Sequence, residues 1–436
     1  MNSNGRKKVH ITTLGCSKNL YDSEILMGQI LRSGATLIEE PRQADVIILN
    51  TCGFITPAKQ ESIQAVLEAG QLKKENSNLQ VIVCGCLSTR YSQSLIKEIP
   101  EVDAYFGTED YSRILKFLNI PINETGHLYE ERYLSRKKHY AYLKISEGCN
   151  HKCAFCAIPL MRGRHRSRSF EDIIHEAEIL AEKKVKEVIL IAQDTTFYGL
   201  DLYNRQRIIE LLNRLEKING IEWIRIHYAY PTTFQPSLID LIQNSDKIVH
   251  YLDLPIQHIS DKMLKIMKRG GSSGKIKNIL NLLREKIPDV VLRTTLLVGH
   301  PGETENDFRK LKNFVEEFKF DRLGVFKYSP EENTPAFKLK APAEKVAEER
   351  YGELMALQQK ISYQKNMEKR NKIFKVLIDE IDRVKNVAVG RTYGDSPEID
   401  NDVIIENPPQ NVFEGKFYNV KIVDTLEYEL FGQILE

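Results

Sequence analysis

Seven cysteines carry most of the reactive chemistry in this chain. Three of them, Cys149, Cys153 and Cys156, fall in the stretch Glu147-Gly-Cys-Asn-His-Lys-Cys-Ala-Phe-Cys, directly after an apolar run. Three thiolates on one loop can take three corners of a 4Fe–4S cubane and leave the fourth iron without a protein ligand. S-adenosylmethionine (SAM) can chelate that open iron through its amino and carboxylate groups. One electron from the cluster then cleaves the sulfonium to a 5′-deoxyadenosyl radical, which can remove hydrogen from an unactivated carbon. Phe155, just before the last cysteine, would sit beside the adenine. A structural zinc site is the competing reading, but it prefers C-x-x-C pairs and four ligands, and His151 is the one nearby candidate to complete the set.

The other four cysteines are dispersed. Cys16 follows a predicted strand at Val9–Thr13, Cys52 follows one at Val46–Asn50, and Cys86 follows one at Leu79–Val83. The carboxyl ends of parallel strands line the binding crevice of an open α/β sheet. These three could therefore converge on a second iron–sulfur cluster, with core packing as the alternative. Cys84 lies at the end of an apolar run and reads as a small buried hydrophobe.

The elements that must position these residues are legible in outline. Helical patterns at Asp22–Ser33 and Ala58–Ala69 alternate with the three strands, which predicts a parallel α/β domain over residues 8–130. A polar, basic stretch over 131–139 reads as a linker. Strand patterns then recur at Tyr142–Ser146, Glu187–Ala192, Trp223–Tyr228, Tyr251–Ile256, Val290–Val298 and Arg322–Tyr328. Six such units over 140–371 predict a partial (β/α) barrel with its site at the C-terminal strand ends, closed by a helix over Glu344–Arg370. Gln193 and Asp194 end the second strand, Gln257 follows the fourth and Arg293 lies in the fifth. They are candidates to face SAM, Arg293 through the SAM carboxylate; the alternatives are that Gln193 and Gln257 cap loops and that Arg293 faces solvent or an internal salt bridge. The last segment, 372–436, has short β-rich runs between Gly, Pro, Asn and Asp, the pattern of a small antiparallel β-barrel. Trp223 reads as strand core.

Composition bounds the rest. Of 436 residues, 42% are hydrophobic and 28% charged, and the net charge is +2. No apolar run approaches the roughly 18 residues a membrane span needs. The N-terminal stretch has no apolar segment of the kind a secretory signal carries. The reading is a cytoplasmic enzyme. The last segment holds 7 Lys and Arg against 13 Asp and Glu, which leaves +8 on the remainder of the chain. An acidic barrel suits a basic protein better than RNA. Arg162, Arg164, Arg166 and Arg168 crowd together with His165, either to guide an anionic partner or as a solvated loop.

Asn50-Thr-Cys52, Val83-Cys-Gly-Cys86, Glu147-Gly-Cys149 and Gly299-His-Pro-Gly-Glu-Thr304 together resemble the methylthiotransferase family of radical SAM enzymes. The resemblance runs from about Lys8 to the end. It implies a radical SAM barrel in the middle, a TRAM barrel at the C-terminus, and two 4Fe–4S clusters, on Cys16, Cys52 and Cys86 and on Cys149, Cys153 and Cys156. Stretches such as Gln193-Asp-Thr-Thr196 and Tyr228-Ala-Tyr-Pro231 resemble most the members that methylthiolate an aspartate β-carbon of ribosomal protein S-twelve, free or in the small subunit. Two SAM molecules are then used: one donates a methyl to sulfur at the N-terminal cluster, the other is cleaved reductively. A reductant such as flavodoxin or ferredoxin is implied, and the enzyme is expected to be a monomer. The alternatives are a tRNA adenosine methylthiotransferase and a non-catalytic iron–sulfur protein. His300 departs from the family, standing where many relatives have an aromatic residue.

Overall fold

The run Val46–Thr51 is buried at every position, which marks a central strand of a sheet covered on both faces. The computed structural model of the chain describes residues 6–122 and 127–435. The first five residues, part of the stretch read for a secretory signal, lie outside it, as does Glu436. The chain forms two compact units. One takes in the residues up to Arg136 together with Glu147–Asn150 and Cys156–Arg166; the other comprises Lys137–Ser146, His151–Phe155 and Ser167 onward.

The first unit is built on a five-stranded sheet in the order β2-β1-β3-β4-β5. Its strands are β1 (Lys8–Thr13), β2 (Thr36–Leu37), β3 (Val46–Thr51), β4 (Gln80–Gly85) and β5 (Ala104–Tyr105), and every pairing is parallel. Helices α1 (Ser17–Arg32), α2 (Thr56–Glu75), α3 (Cys86–Glu98) and α4 (Tyr111–Phe117) connect the strands or follow them, and α5 (Ile158–Arg162) belongs to the same unit. Two apolar clusters flank the sheet. Val9, Ile48, Ile82 and Cys84 lie in one, and Ile47, Val81, Val83 and Leu87 in the other. The alternation along β3 and β4 sends successive side chains to opposite faces. The basic stretch read as a linker is anchored: buried Arg132 reaches Glu24 of α1 with its Nη2, at 2.6 Å, and with its Nε, at 3.0 Å.

The second unit contains six parallel strands in chain order: β6 (Tyr140–Lys144), β7 (Glu187–Ile191), β8 (Trp223–Ile226), β9 (Ile248–Asp253), β10 (Val291–Val298) and β11 (Arg322–Lys327). This is the open, partial barrel expected. A long helix, α6 (Glu344–Met367), leads to five strands that close into a small barrel: β12 (Ile373–Asp382), β13 (Val387–Thr392), β14 (Asp402–Glu406), β15 (Phe417–Thr425) and β16 (Glu429–Ile434). The small barrel is not wholly antiparallel, because β14 and β16 pair in parallel to close it.

The small barrel is locked onto the larger one. Arg391 of β13 meets Glu187 at the start of β7 at 2.8 Å, and Glu187 also holds Arg225 of β8 at 2.7 Å. The connection after β13 brings Asp395 to Arg322, Ser396 to His227 at 3.0 Å, and Glu398 to Tyr140 at 3.1 Å. Trp223 is core, as expected, packing edge-on against Phe417 of the small barrel at 4.7 Å. Part of the acidic surplus of 372–436 is therefore spent inward on arginines of the central barrel. No helix among the described residues is long and apolar enough to cross a membrane.

Candidate functional site

Cys16 is the N-cap of α1, Cys52 follows β3 directly, and Cys86 is the first residue of α3. Because β1, β3 and β4 are neighbours, these three cysteines lie at adjacent strand ends. Close packing draws the loops together. A Cβ on Gly15 would stand 2.8 Å from the Cβ of Cys52, and one on Gly85 would stand 2.6 Å from the Thr51 carbonyl. Gly85 also has φ of 95°, a conformation glycine alone adopts at little cost. Ser62 holds the Cys52 backbone at both ends, accepting from its N–H at 2.9 Å and donating to its carbonyl at 3.0 Å.

Asn19 ties the three loops. Its Nδ2 donates to the Leu14 carbonyl at 2.7 Å and the Thr51 carbonyl at 3.2 Å, and its Oδ1 lies 3.9 Å from Cys86 Sγ. Burial raises the Cys52 thiol and pushes Cys86 up to about 12, and Arg162 is the cation that opposes both shifts. Cys16 and Cys52 each act on the Cys86 thiol, so the three are within electrostatic reach of one another. Among the described residues, no group of three His, Cys, Asp or Glu side chains is set to hold a single metal ion. A cubane asks for something different, one thiolate per iron, and three separated thiols at neighbouring strand ends suit it. Cys84 lies inside the apolar cluster between sheet and helices, where burial raises its thiol strongly; it is the buried hydrophobe expected.

In the second unit, buried Cys153 has Sγ 3.6 Å from Arg269 Nη1 and 3.9 Å from the Tyr230 hydroxyl. His151, the one candidate for a fourth zinc ligand, is engaged elsewhere. Its Nε2 meets Asp194 at 2.6 Å and its ring stacks on Tyr230 at 3.8 Å. Asp194 is a hub that also accepts from the Thr196 N–H at 2.9 Å and from Thr233 at 3.2 Å, so it orders the loop after β7. Gln193 stands beside it, half-buried. Gln257 has φ of 67° and bridges β10, donating to the Thr295 carbonyl and accepting from the Leu297 N–H, each at 2.8 Å. A non-glycine residue in that region is strain of the kind found at functional loops.

Phe155 packs with Met263, Met267 and Leu297, and its ring meets His300 edge-on at 6.1 Å. His300 also meets Tyr328 at 5.2 Å, and burial holds its imidazole below the usual range. A neutral imidazole thus fills the aromatic position. The motif around it is fixed by Glu303, which accepts from the Gly299 N–H at 2.6 Å, from Arg350 at 2.8 Å and from His258 at 3.2 Å.

Arg293 is the third residue of β10, near the N-terminal end of the strand, and its guanidinium meets Asp253 at 3.4 Å and Asp400 at 3.3 Å, the internal salt bridge read as one alternative to a SAM contact. The arginine run also divides. Arg166 pairs with Glu109 at the surface, Arg168 pairs with Glu176 at 2.5 Å, and Arg164 is exposed. Arg162 is buried beside the first cysteine set, meeting Glu147 at 2.9 Å and Asp22 at 3.2 Å. Sequence reasoning missed Tyr230 and Arg269 as neighbours of Cys153; the quoted Tyr228-Ala-Tyr-Pro231 stretch is the one signal that could have found Tyr230.

Residues 143–315 match the Radical SAM superfamily, residues 8–107 the Uncharacterized protein family UPF0004, and residues 372–435 the TRAM domain. The chain is 48% identical over 429 residues to the ribosomal protein uS12 methylthiotransferase RimO of Flavobacterium psychrophilum, covering 98% of each. It is 48% identical over 431 residues to the protein of that name from Aquifex aeolicus, again covering 98% of each. Among solved structures it resembles the radical SAM methyltransferase TsrM of Kitasatospora setae, with TM-score 0.55, 14% identity, and 76% and 75% of the two chains covered. It also resembles the cobalamin-dependent SAM radical enzyme OxsB, with TM-score 0.51, 13% identity, and 82% and 56% covered. These two likenesses show the fold alone. The full-length identity to the curated relatives goes further: this chain belongs to the RimO family of radical SAM methylthiotransferases.

Proposed function

We propose that this protein adds a methylthio group to the β-carbon of an aspartate in ribosomal protein S-twelve. The observation that carries the reading is the 48% identity, over 98% of both chains, to relatives that bear that protein's name. Those relatives do not favour a tRNA substrate. Cys149, Cys153 and Cys156 would hold one 4Fe–4S cluster, and Cys16, Cys52 and Cys86 a second. When bound, these clusters would supply the electron that cleaves SAM and the site from which sulfur is transferred.

The chain's own residues do the rest. Arg269 and Tyr230 sit against Cys153 and set a cation and a hydroxyl beside its sulfur. The stacked pair of His151 and Tyr230, held through Asp194, fixes the cysteine-bearing loop over β7. Phe155, with His300 and Tyr328 behind it, offers an aromatic wall for adenine, and Gln193 and Gln257 offer polar contacts at the C-terminal strand ends. The protein would act in the cytoplasm as a monomer, with a flavodoxin or ferredoxin as electron donor.

The test is mass spectrometry of ribosomal protein S-twelve, free or in small subunits, after incubation with the anaerobically reconstituted protein, SAM and a reductant. The reading requires a methylthio group on one aspartate together with 5′-deoxyadenosine. Modification of tRNA with none on the ribosomal protein would overturn the substrate.

A further inference from the structure

Arg162 ends α5, and its side chain is 1% exposed. Burying a guanidinium is costly unless each face is paired and hydrogen-bonded. Here the pairs are specific. Nη1 meets Glu147, two residues before Cys149, at 2.9 Å; Nη1 and Nη2 both meet Asp22 at 3.2 Å; and Nη2 donates to Asn19 Oδ1 at 2.5 Å. Asn19 is the residue whose amide donates to the carbonyls of Leu14 and Thr51 and whose Oδ1 lies near Cys86 Sγ. One guanidinium therefore acts, through one amide, on the loops of all three dispersed cysteines. Asp22 is held from its other side by the Tyr111 hydroxyl at 2.5 Å, which keeps it from rotating away.

A cluster on three thiolates is anionic and becomes more so when it accepts an electron. A fixed cation in a low-dielectric site stabilises the more negative state.

We propose that Arg162 is the positioning and charge-compensating residue of the N-terminal cluster, holding Asn19 against the three cysteine loops and raising the potential at which that cluster accepts an electron. The proposal rests on the reading that Cys16, Cys52 and Cys86 bind a 4Fe–4S cluster.

The experiment uses the full chain with Cys149, Cys153 and Cys156 replaced by Ala, reconstituted with iron and sulfide and titrated with dithionite under EPR. Each cluster takes up one electron from dithionite. Replacing the charge by Arg162→Gln should move the midpoint to more negative values. At the potential that half-reduces the background protein, the ratio of reduced to oxidised cluster should fall by about tenfold, a shift of about 59 mV for one electron. Arg162→Lys keeps the charge and should recover most of the shift, which a purely structural role would not require. If Arg162→Gln loses its iron while Arg162→Lys retains it with a midpoint near the background value, the need for charge is upheld. An unchanged midpoint in an iron-replete Arg162→Gln protein, or loss of iron from both variants, overturns the role given to Arg162. A background protein that binds no iron overturns the cluster reading itself, and the role of Arg162 with it.

Discussion

Cys16, Cys52 and Cys86 are brought together by a fold, whereas Cys149, Cys153 and Cys156 are brought together by the chain. The first three come from the ends of three neighbouring strands and need the register of the sheet, the glycine at 85 and the amide of Asn19 to meet. The last three occupy one short stretch, and what the fold adds is their surroundings: Arg269, Tyr230 and the hub at Asp194. A convergent site is sensitive to remote packing. A contiguous one depends first on its own loop and, at Cys153, on the second unit that carries that residue.

The largest expected effect falls on the contiguous set. Removing 372–436 strips Asp395 from buried Arg322, which is left without a carboxylate, and takes Asp400 from Arg293 and Arg391 from Glu187, which keep only Asp253 and Arg225. Each broken buried pair costs about 3–5 kcal/mol. The truncated protein should therefore fail to hold the second unit together and lose 5′-deoxyadenosine formation. Full SAM cleavage by the truncated protein would show that the small barrel is a separable dock. Arg391→Ala alone should lower unfolding free energy by about 3–5 kcal/mol in a urea titration.

Gly85→Val strikes the convergent set. It places a β-branched residue at φ of 95° and drives its Cβ against Asn50 and the Thr51 carbonyl. The strain alone is about 1–3 kcal/mol. Iron should fall to about half the parent value while SAM cleavage persists. Equal loss of both would make the two sites one cooperative unit.

How much of this was legible in the sequence follows the same division. The contiguous motif declares itself, because its ligands share one loop. The dispersed set could be read from strand ends, and the family resemblance chose cluster over core. Arg162 could not be told from Arg164, Arg166 and Arg168, since burial depends on α1 packing over it from far away in sequence. The pairing of Arg293 with Asp400 could not be read either, because Asp400 is distant in sequence and a strand pattern does not say which end of a barrel a side chain serves. The parallel pairing of β14 with β16 was hidden for a like reason: register between distant strands leaves no local trace.

A smaller effect is expected from acid. Burial opposes ionisation of Asp395, but Arg322, Lys369 and Thr392 outweigh it and hold the carboxyl at about 2. The unfolded chain titrates near 3.9. A depressed carboxyl stabilises the fold above its unfolded value, and that contribution is lost as pH falls through the folded value. About 2 kcal/mol should therefore disappear between roughly pH 5 and 2. Asp395→Asn should flatten this limb in urea titrations at several pH values; an unchanged slope would place the acid sensitivity elsewhere.

The smallest effect belongs to Cys84→Ala. Its sulfur packs among Val9, Ile48 and Ile82. The cost should be about 1 kcal/mol, near that of one buried methylene, with iron content unchanged. Iron loss matching that of Cys86→Ala would exchange the roles of the two cysteines.

The most direct test of the central claim, two independent clusters on two differently built sites, is the iron and sulfide content of the reconstituted protein beside its two triple variants. Cys16→Ala/Cys52→Ala/Cys86→Ala and Cys149→Ala/Cys153→Ala/Cys156→Ala should each retain about half of the parent's iron and sulfide, and SAM should perturb the EPR signal of the first variant alone. Loss of all iron in either variant, or of none, would contradict the account.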